Sequence, residues 1–220
     1  MKALIFDSGT LINFSMNGLL DILRELKKSF NGKFLITREV EKEIIINPMK
    51  MQKYKLGALR LKEIIEDKTL ELPESVGVSS GEVSLKMKKY FAYANNLFYR
   101  GRASIKLIDS GEASTLALSS LLNEKGIRNV IAIDERTTRM LFESPEDLKE
   151  LMEKKLHISI NTGKFSSLDN FKFIRSVELV YIAFKKKLIK NKEMLDAVLY
   201  GTKFKGAAVS DKEIKEIEKL

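Results

Sequence analysis

The stretch Ala3-Leu4-Ile5-Phe6-Asp7-Ser8-Gly9-Thr10-Leu11 carries the decisive information in this chain. A short apolar run that ends on polar and turn-forming residues reads as a buried strand. It delivers the carboxylate of Asp7 to the strand's carboxyl end, and no clear helix follows to make Asp7 a cap. In open α/β sheets that edge is where ligands bind. The pattern recurs at Val130-Ile131-Ala132-Ile133, which runs into Asp134-Glu135. Two strands bringing carboxylates to one edge suggest a site for a hard divalent cation, because such ions take oxygen ligands.

Working outward, Leu19, Leu20, Ile22, Leu23 and Leu26 recur at helical spacing up to a stop at Asn31-Gly32. Lys33-Phe34-Leu35-Ile36 reads as a second strand, and Thr37 as the N-cap of a helix that ends before Pro48. Strand, helix, strand, helix points to a parallel sheet. A helix over 51–66, a strand-like Thr69–Leu72 and a long helix from Ser79 through Tyr99 follow, the last opened by a capping box with Glu82. Asp109-Ser110-Gly111-Glu112 opens another helix, stopped at Lys125-Gly126. After the strand at 130–133 come a short helix through Leu141 and one entered at Ser144-Pro145. His157–Ile160 reads as a strand with His157 in a structural role, and residues 177–220 as C-terminal helices. The expected fold is α/β, a three-layer α/β/α arrangement around a mainly parallel sheet with extra helices. One domain over 1–220 is expected, with an enlarged helical insertion at 47–108.

Composition narrows the chemistry. The 220 residues contain no cysteine and a single histidine, His157, which excludes thiolate zinc sites, cysteine nucleophiles and two-histidine zinc motifs. Any metal site must be built from oxygen. No apolar stretch approaches the roughly 20 residues that span a bilayer, and the N-terminus lacks a signal-peptide pattern, so a cytoplasmic protein without membrane contact is expected. The Lys, Glu and Ile content leans towards a thermophile. A formal net charge of +9 favours a polyanionic partner, of which nucleic acid is the commonest.

Four acids stand at element boundaries: Asp7, Glu43, Glu112 and Asp134. Each has a plainer reading when taken alone. Glu112 completes a capping box with Asp109, Asp134 can cap the helix after its strand, and Glu43 can be a surface helix acid.

Together they resemble the PIN-domain nuclease family. The opening strand-Asp-Ser/Thr-x-x-Leu is matched at Asp7, Ser8 and Leu11, and the Thr-x-x-Val-x-x-Glu-Ile helix at Thr37, Val40, Glu43 and Ile44. The Gly-Glu-Ala helix of archaeal and bacterial single-domain members is matched at Gly111, Glu112, Ala113 and Ala117. The strand-Asp-Asp/Glu-x-x-x-Arg element is matched at Asp134, Glu135 and Arg139. The similarity spans about residues 1–165, with two departures: the segment around 47–108 is long, and an expected Gly-Thr-Gly reads Asn161-Thr162-Gly163.

The resemblance implies a divalent-metal-dependent nuclease, an endoribonuclease on single-stranded RNA, using Mg²⁺ or Mn²⁺. Asp7, Glu112 and Asp134 are the expected ligands, Glu135 is placed to join a second ion, and Glu43 orients a metal-bound water. A cluster of like charges without metal should raise the pKa of at least one member, which metal binding would reverse. Arg136, Arg139 and Thr162 are the expected substrate contacts, although Arg139 can equally pair with Glu135 at i, i+4. Tyr93, Tyr99, Arg100 and Arg102 are further candidates for holding a single strand, and Lys185-Lys186-Lys187 reads as a solvated face. The resemblance leaves room for a homodimer and for an antitoxin-like protein partner. Two other readings are weighed against it. One is a PIN-like module that binds RNA or scaffolds a partner without cutting. The other is a haloacid-dehalogenase-like phosphatase, disfavoured because its second aspartate has no counterpart after Asp7.

Overall fold

The computed structural model describes residues 1–163 and 170–219. Strand β1 (Lys2–Phe6) leads into α1 (Ser8–Met16) and α2 (Leu20–Ser29), then β2 (Lys33–Leu35) and α3 (Arg38–Glu41). A π turn over Lys42–Ile46 extends α3, and a 3₁₀ turn at Pro48–Lys50 precedes α4 (Gln52–Glu66). Helix α5 (Ser80–Asn95) is followed by a hairpin of β3 (Phe98–Arg100) and β4 (Ala103–Ser104), then α6 (Ser110–Glu124) and β5 (Arg128–Ala132). The remainder holds α7 (Arg136–Glu143), α8 (Pro145–Leu156), β6 (Asn161–Thr162), β7 (Phe173–Ile174), α9 (Ser176–Lys185), α10 (Lys192–Phe204) and α11 (Asp211–Ile217).

The main sheet has the order β2-β1-β5-β7, and every pair in it is parallel. Alternation along β1 explains the layers. Leu4 and Phe6 face a core with Phe14 of α1, Leu23 of α2, Val180 of α9 and Leu199 of α10. Ala3 and Ile5 face the opposite core, with Tyr90 of α5, Leu116 of α6 and Leu141 of α7. The fold is therefore a three-layer α/β/α sandwich with β1 inside the sheet. Among the described residues no helix is long and apolar enough to cross a membrane.

Several expectations need correction. Asp7 does precede a helix: Ser8-Gly9-Thr10 is the first turn of α1, not a loop. Helix α1 is unreadable from periodicity because its buried face mixes Leu11 and Phe14 with Thr10, Asn13 and Ser15. Helix α5 stops at Asn95, short of Tyr99. The buried Asn95 side chain accepts from Leu107 N (2.7 Å) and Ile108 N (3.0 Å) and donates to Ile108 O (2.9 Å), which fixes the approach to Asp109. The segment 47–108 is thus not wholly helical, since it contains the β3–β4 hairpin, turned at Gly101 with φ +62°. Thr69–Leu72 contributes one parallel bridge, Leu35 to Glu71, rather than a strand.

His157 is exposed, in the left-handed conformation that ends α8 (φ 52°), so 157–160 is not a strand. The pairing falls instead on Asn161–Thr162, which joins β3 in a separate antiparallel sheet, β4-β3-β6. The fourth strand of the main sheet is β7, two residues long, which the sequence reading omitted.

Candidate functional site

The parallel sheet places the ends of β1 and β5 side by side, and Asp7 N still donates to Ala132 O at 2.9 Å. Beyond that point the chain turns away into α1. Oδ2 of Asp7 accepts from Gly9 N at 3.1 Å, as an N-cap does. Its other oxygen, Oδ1, is buried without a hydrogen-bond partner, in a residue only 4% exposed. Burial raises the Asp7 carboxyl from the ordinary 3.8 to about 7, with Glu43 and Asp109 adding repulsion and the Gly9 and Ser8 amides opposing the rise.

Glu112 lies in the first turn of α6, and its Oε2 accepts from Asp109 N at 2.9 Å. The cap reading was therefore correct for this half of the box. The same carboxyl is nevertheless raised from 4.5 to about 8, chiefly by burial and then by the charge of Asp7, with Asp109 and Glu135 contributing further. A cap and a member of the acidic cluster are here one residue.

Glu43 arrives from the other flank. Thr37 caps α3 by accepting from Val40 N (3.2 Å), and its hydroxyl meets Ser114 Oγ of α6 at 2.6 Å. That contact draws the π turn onto the start of α6. The Glu43 carboxylate then lies directly over Gly111, where a Cβ would stand 2.5 Å from Oε2 and 2.7 Å from Oε1. Burial raises the Glu43 carboxyl above its usual range, while the Ser8 hydroxyl and the Gly111 N–H favour its charged form. We expect Gly111→Ala to change thermal stability by no more than about 1 kcal/mol, because alanine's better helix propensity offsets a flexible neighbour's displacement. It should still cut any metal-dependent rise in melting temperature, measured by melts with and without Mn²⁺.

Asp134 is differently placed from the expectation. Its Oδ1 accepts from Ser176 N at 2.7 Å and its Oδ2 from Asn13 Nδ2 at 3.2 Å, so both oxygens are engaged within the protein. Asn13 Nδ2 also donates to Thr202 O (2.8 Å), and Asn13 Oδ1 accepts from Asn17 Nδ2 (2.7 Å). Asp134 is thus a buried tie between β5, α1 and the start of α9. Burial raises its carboxyl, and Glu178 is the charged neighbour that adds to the rise. It is Glu135, the next residue, whose charge reaches Glu112.

Glu135, not Asp134, caps α7, with Oε2 accepting from Thr138 N at 2.6 Å. Folded back onto that first turn, it makes no ion pair with Arg139. The Arg139 Nε is buried without a partner, and burial, then Arg175, lowers the guanidinium's pKa. Arg136 is exposed, its Nε 3.2 Å from Met140 Sδ. Thr162 belongs to the second sheet, paired with Phe98, and is exposed. Of the hairpin candidates, Arg100 and Arg102 are exposed and Tyr99 half-buried, while the Tyr93 ring packs 6.5 Å from Phe142.

The sequence places Ser8 in the motif at Asp7 and Asp109 in the capping box with Glu112 but assigns neither a part in the site, and Asn13 goes unnoticed. A polar residue at a position packed like core, as Asn13 is, was the one available signal. Asp7, Glu43, Asp109, Glu112 and Glu135 make no ion pair among the described residues, in a chain of net charge +9. Their chemistry suits a hard cation: oxygen donors, mutual repulsion and one orphaned buried oxygen on Asp7. As they stand, no three acidic or histidine side chains among the described residues converge closely enough to hold an ion. Glu112 would have to leave the Asp109 amide to do so. Comparison with known proteins returns no matching family model, no matching curated protein and no matching solved structure.

Proposed function

We propose that the chain is a PIN-like, divalent-metal-dependent nuclease that hydrolyses phosphodiester bonds in single-stranded RNA. The observation that carries this reading is Asp7: a deeply buried carboxylate at the end of an inner strand, with one oxygen unpartnered and other acids as its charged neighbours. Without a counter-cation such a group is costly, and a bound Mg²⁺ or Mn²⁺ offsets that cost. Asp7 and Glu112 are the residues to hold the ion, with Glu135 beside them. When bound, the ion supplies an acidified water and neutralises the scissile phosphate.

The remaining residues have protein-side roles. Glu43, steadied by Ser8 and Gly111, has the raised basicity of a group that takes a proton from an attacking water. Asp134 holds Asn13 and the start of α9, which fixes α1 beneath Asp7. Arg136, exposed one residue after Glu135, is positioned to meet a phosphate oxygen.

A second reading, a PIN-like module that binds RNA without cutting, is favoured by the engagement of Glu112 with Asp109 and the lack of a converged triad among the described residues. Incubation of purified protein with a fluorescent single-stranded RNA, in Mn²⁺, in Mg²⁺ and in a chelator, separates the two. Cleavage in either metal, absent in chelator and reduced at least about a hundredfold in Glu112→Gln, is expected. RNA binding without cleavage in both metals would establish the second reading instead.

A further inference from the structure

The opposite end of the parallel sheet carries the reverse charge pattern. Lys2 opens β1 and Arg128 opens β5, and the two are direct register partners on adjacent strands. Lys172 stands just before β7, with its carbonyl accepting from Ile131 N at 2.8 Å. Three neighbouring strands therefore each have a cation at or just before their first residue. Register partners on adjacent strands project to the same face, and like charges so placed are destabilising. None of the three makes an ion pair among the described residues.

These cations line a cavity of about 280 Å³ whose wall holds no acidic residue among the described residues. Ala3, Phe30 and Val130 supply an apolar wall, extended by the aliphatic stems of the basic side chains. The Phe30 ring packs 5.2 Å from the Phe34 ring, and Gly32 leaves room for it, since a Cβ there would lie 2.6 Å from the Phe30 ring and 2.4 Å from Lys2 O. Ser119 and Asn123 lie on another side, joined through Asn129, whose Nδ2 donates to Asn123 Oδ1 at 2.8 Å and to Ser119 O at 3.2 Å.

We infer that this cavity, between the amino ends of β1 and β5, binds an aromatic phosphate monoester of mononucleotide size. The phosphate meets Lys2, Arg128 and Lys172, and the flat body lies against Phe30. A cleft lined by one sign of charge concentrates the opposite ion, and a guanidinium is suited to phosphate oxygens. The volume lies just under the range that drug-sized ligands occupy, which favours one nucleotide over a longer strand. Strands of this length separate the cavity from Asp7 by about 17 Å, so the two sites are independent.

Titration calorimetry of the intact protein with AMP, inorganic phosphate and adenosine tests the inference. AMP should bind more tightly than phosphate, adenosine should give no heat, and raising the salt to about 0.5 M should weaken AMP. Arg128→Gln and Lys172→Gln should each weaken AMP roughly tenfold, as loss of one charge-assisted hydrogen bond implies, whereas Lys88→Gln on α5 should not. Equal weakening by Lys88→Gln would reduce the effect to net charge and overturn the site. Inorganic phosphate binding as tightly as AMP would overturn the aromatic half, and no heat from either would overturn the whole.

Discussion

Asp7→Asn should stabilise the metal-free protein at pH 8, raising its melting temperature by roughly 5–10 °C, and should abolish any further rise on adding Mn²⁺. The sign follows from linkage. A carboxyl raised from 3.8 to about 7 on folding leaves the folded state holding a proton that the unfolded state has lost. The contribution of these buried carboxyls to the stability of the metal-free protein is therefore greatest where both states are protonated, below about pH 4. It falls as pH rises through the window up to about 7 for Asp7 and about 8 for Glu112. Three or so pKa units correspond to at most about 4 kcal/mol, and the two acids repel each other, so their contributions do not add. An amide at position 7 removes one charge and relieves Glu112 at the same time. Melting curves from pH 5 to pH 8.5, with chelator and with Mn²⁺, read all of this. A flat profile for the metal-free wild type would sink the charge-strain argument, and no Mn²⁺ shift at pH 8 would sink the metal site.

The second large effect is expected at Asp134. Asp134→Ala removes the acceptor of Ser176 N and one of the two acceptors of Asn13 Nδ2, all of them buried. Stranded donors in an apolar interior cost about 1–3 kcal/mol each, and a loss of about 3 kcal/mol or more is expected by urea denaturation. Asn13→Ala should share most of that loss, because the two side chains act through one network, and the double variant should fall well short of the sum. Losses that simply add would show that Asp134 and Asn13 are independent and that the network is not a unit.

The contrast between Asp134 and Glu135 shows what the linear chain can convey. That β5 ends on acids was legible from Val130-Ile131-Ala132-Ile133, as was β1 from its apolar run, and Thr37, Ser79 and Glu112 announced their caps by local spacing. Which of two adjacent acids faces the cluster was not legible. Neighbouring side chains at a strand end point in opposite directions. Here the choice is made by Asn13 and Ser176, 121 and 42 residues distant in the chain. Helix α1 was hidden by buried polar residues that break its periodicity. β7 was hidden by its length, since Phe173–Ile174 is too short to alternate. The segment 157–160 offered an apolar pattern, but β6 pairs one step later and in a different sheet. Local chemistry was readable; decisions taken by remote partners were not.

The Asn13 network also bears on how such a molecule is made. Its anchor on Thr202 lies 189 residues downstream, and β1 waits for β5 on one of its sides. Asp7 and Asn13 are therefore made well before the partners they meet across the fold, Ala132 and Thr202. Formation of the acidic edge thus requires long loops to close, which slows folding. Any reactivity at that edge therefore waits until the chain has been made at least as far as Thr202.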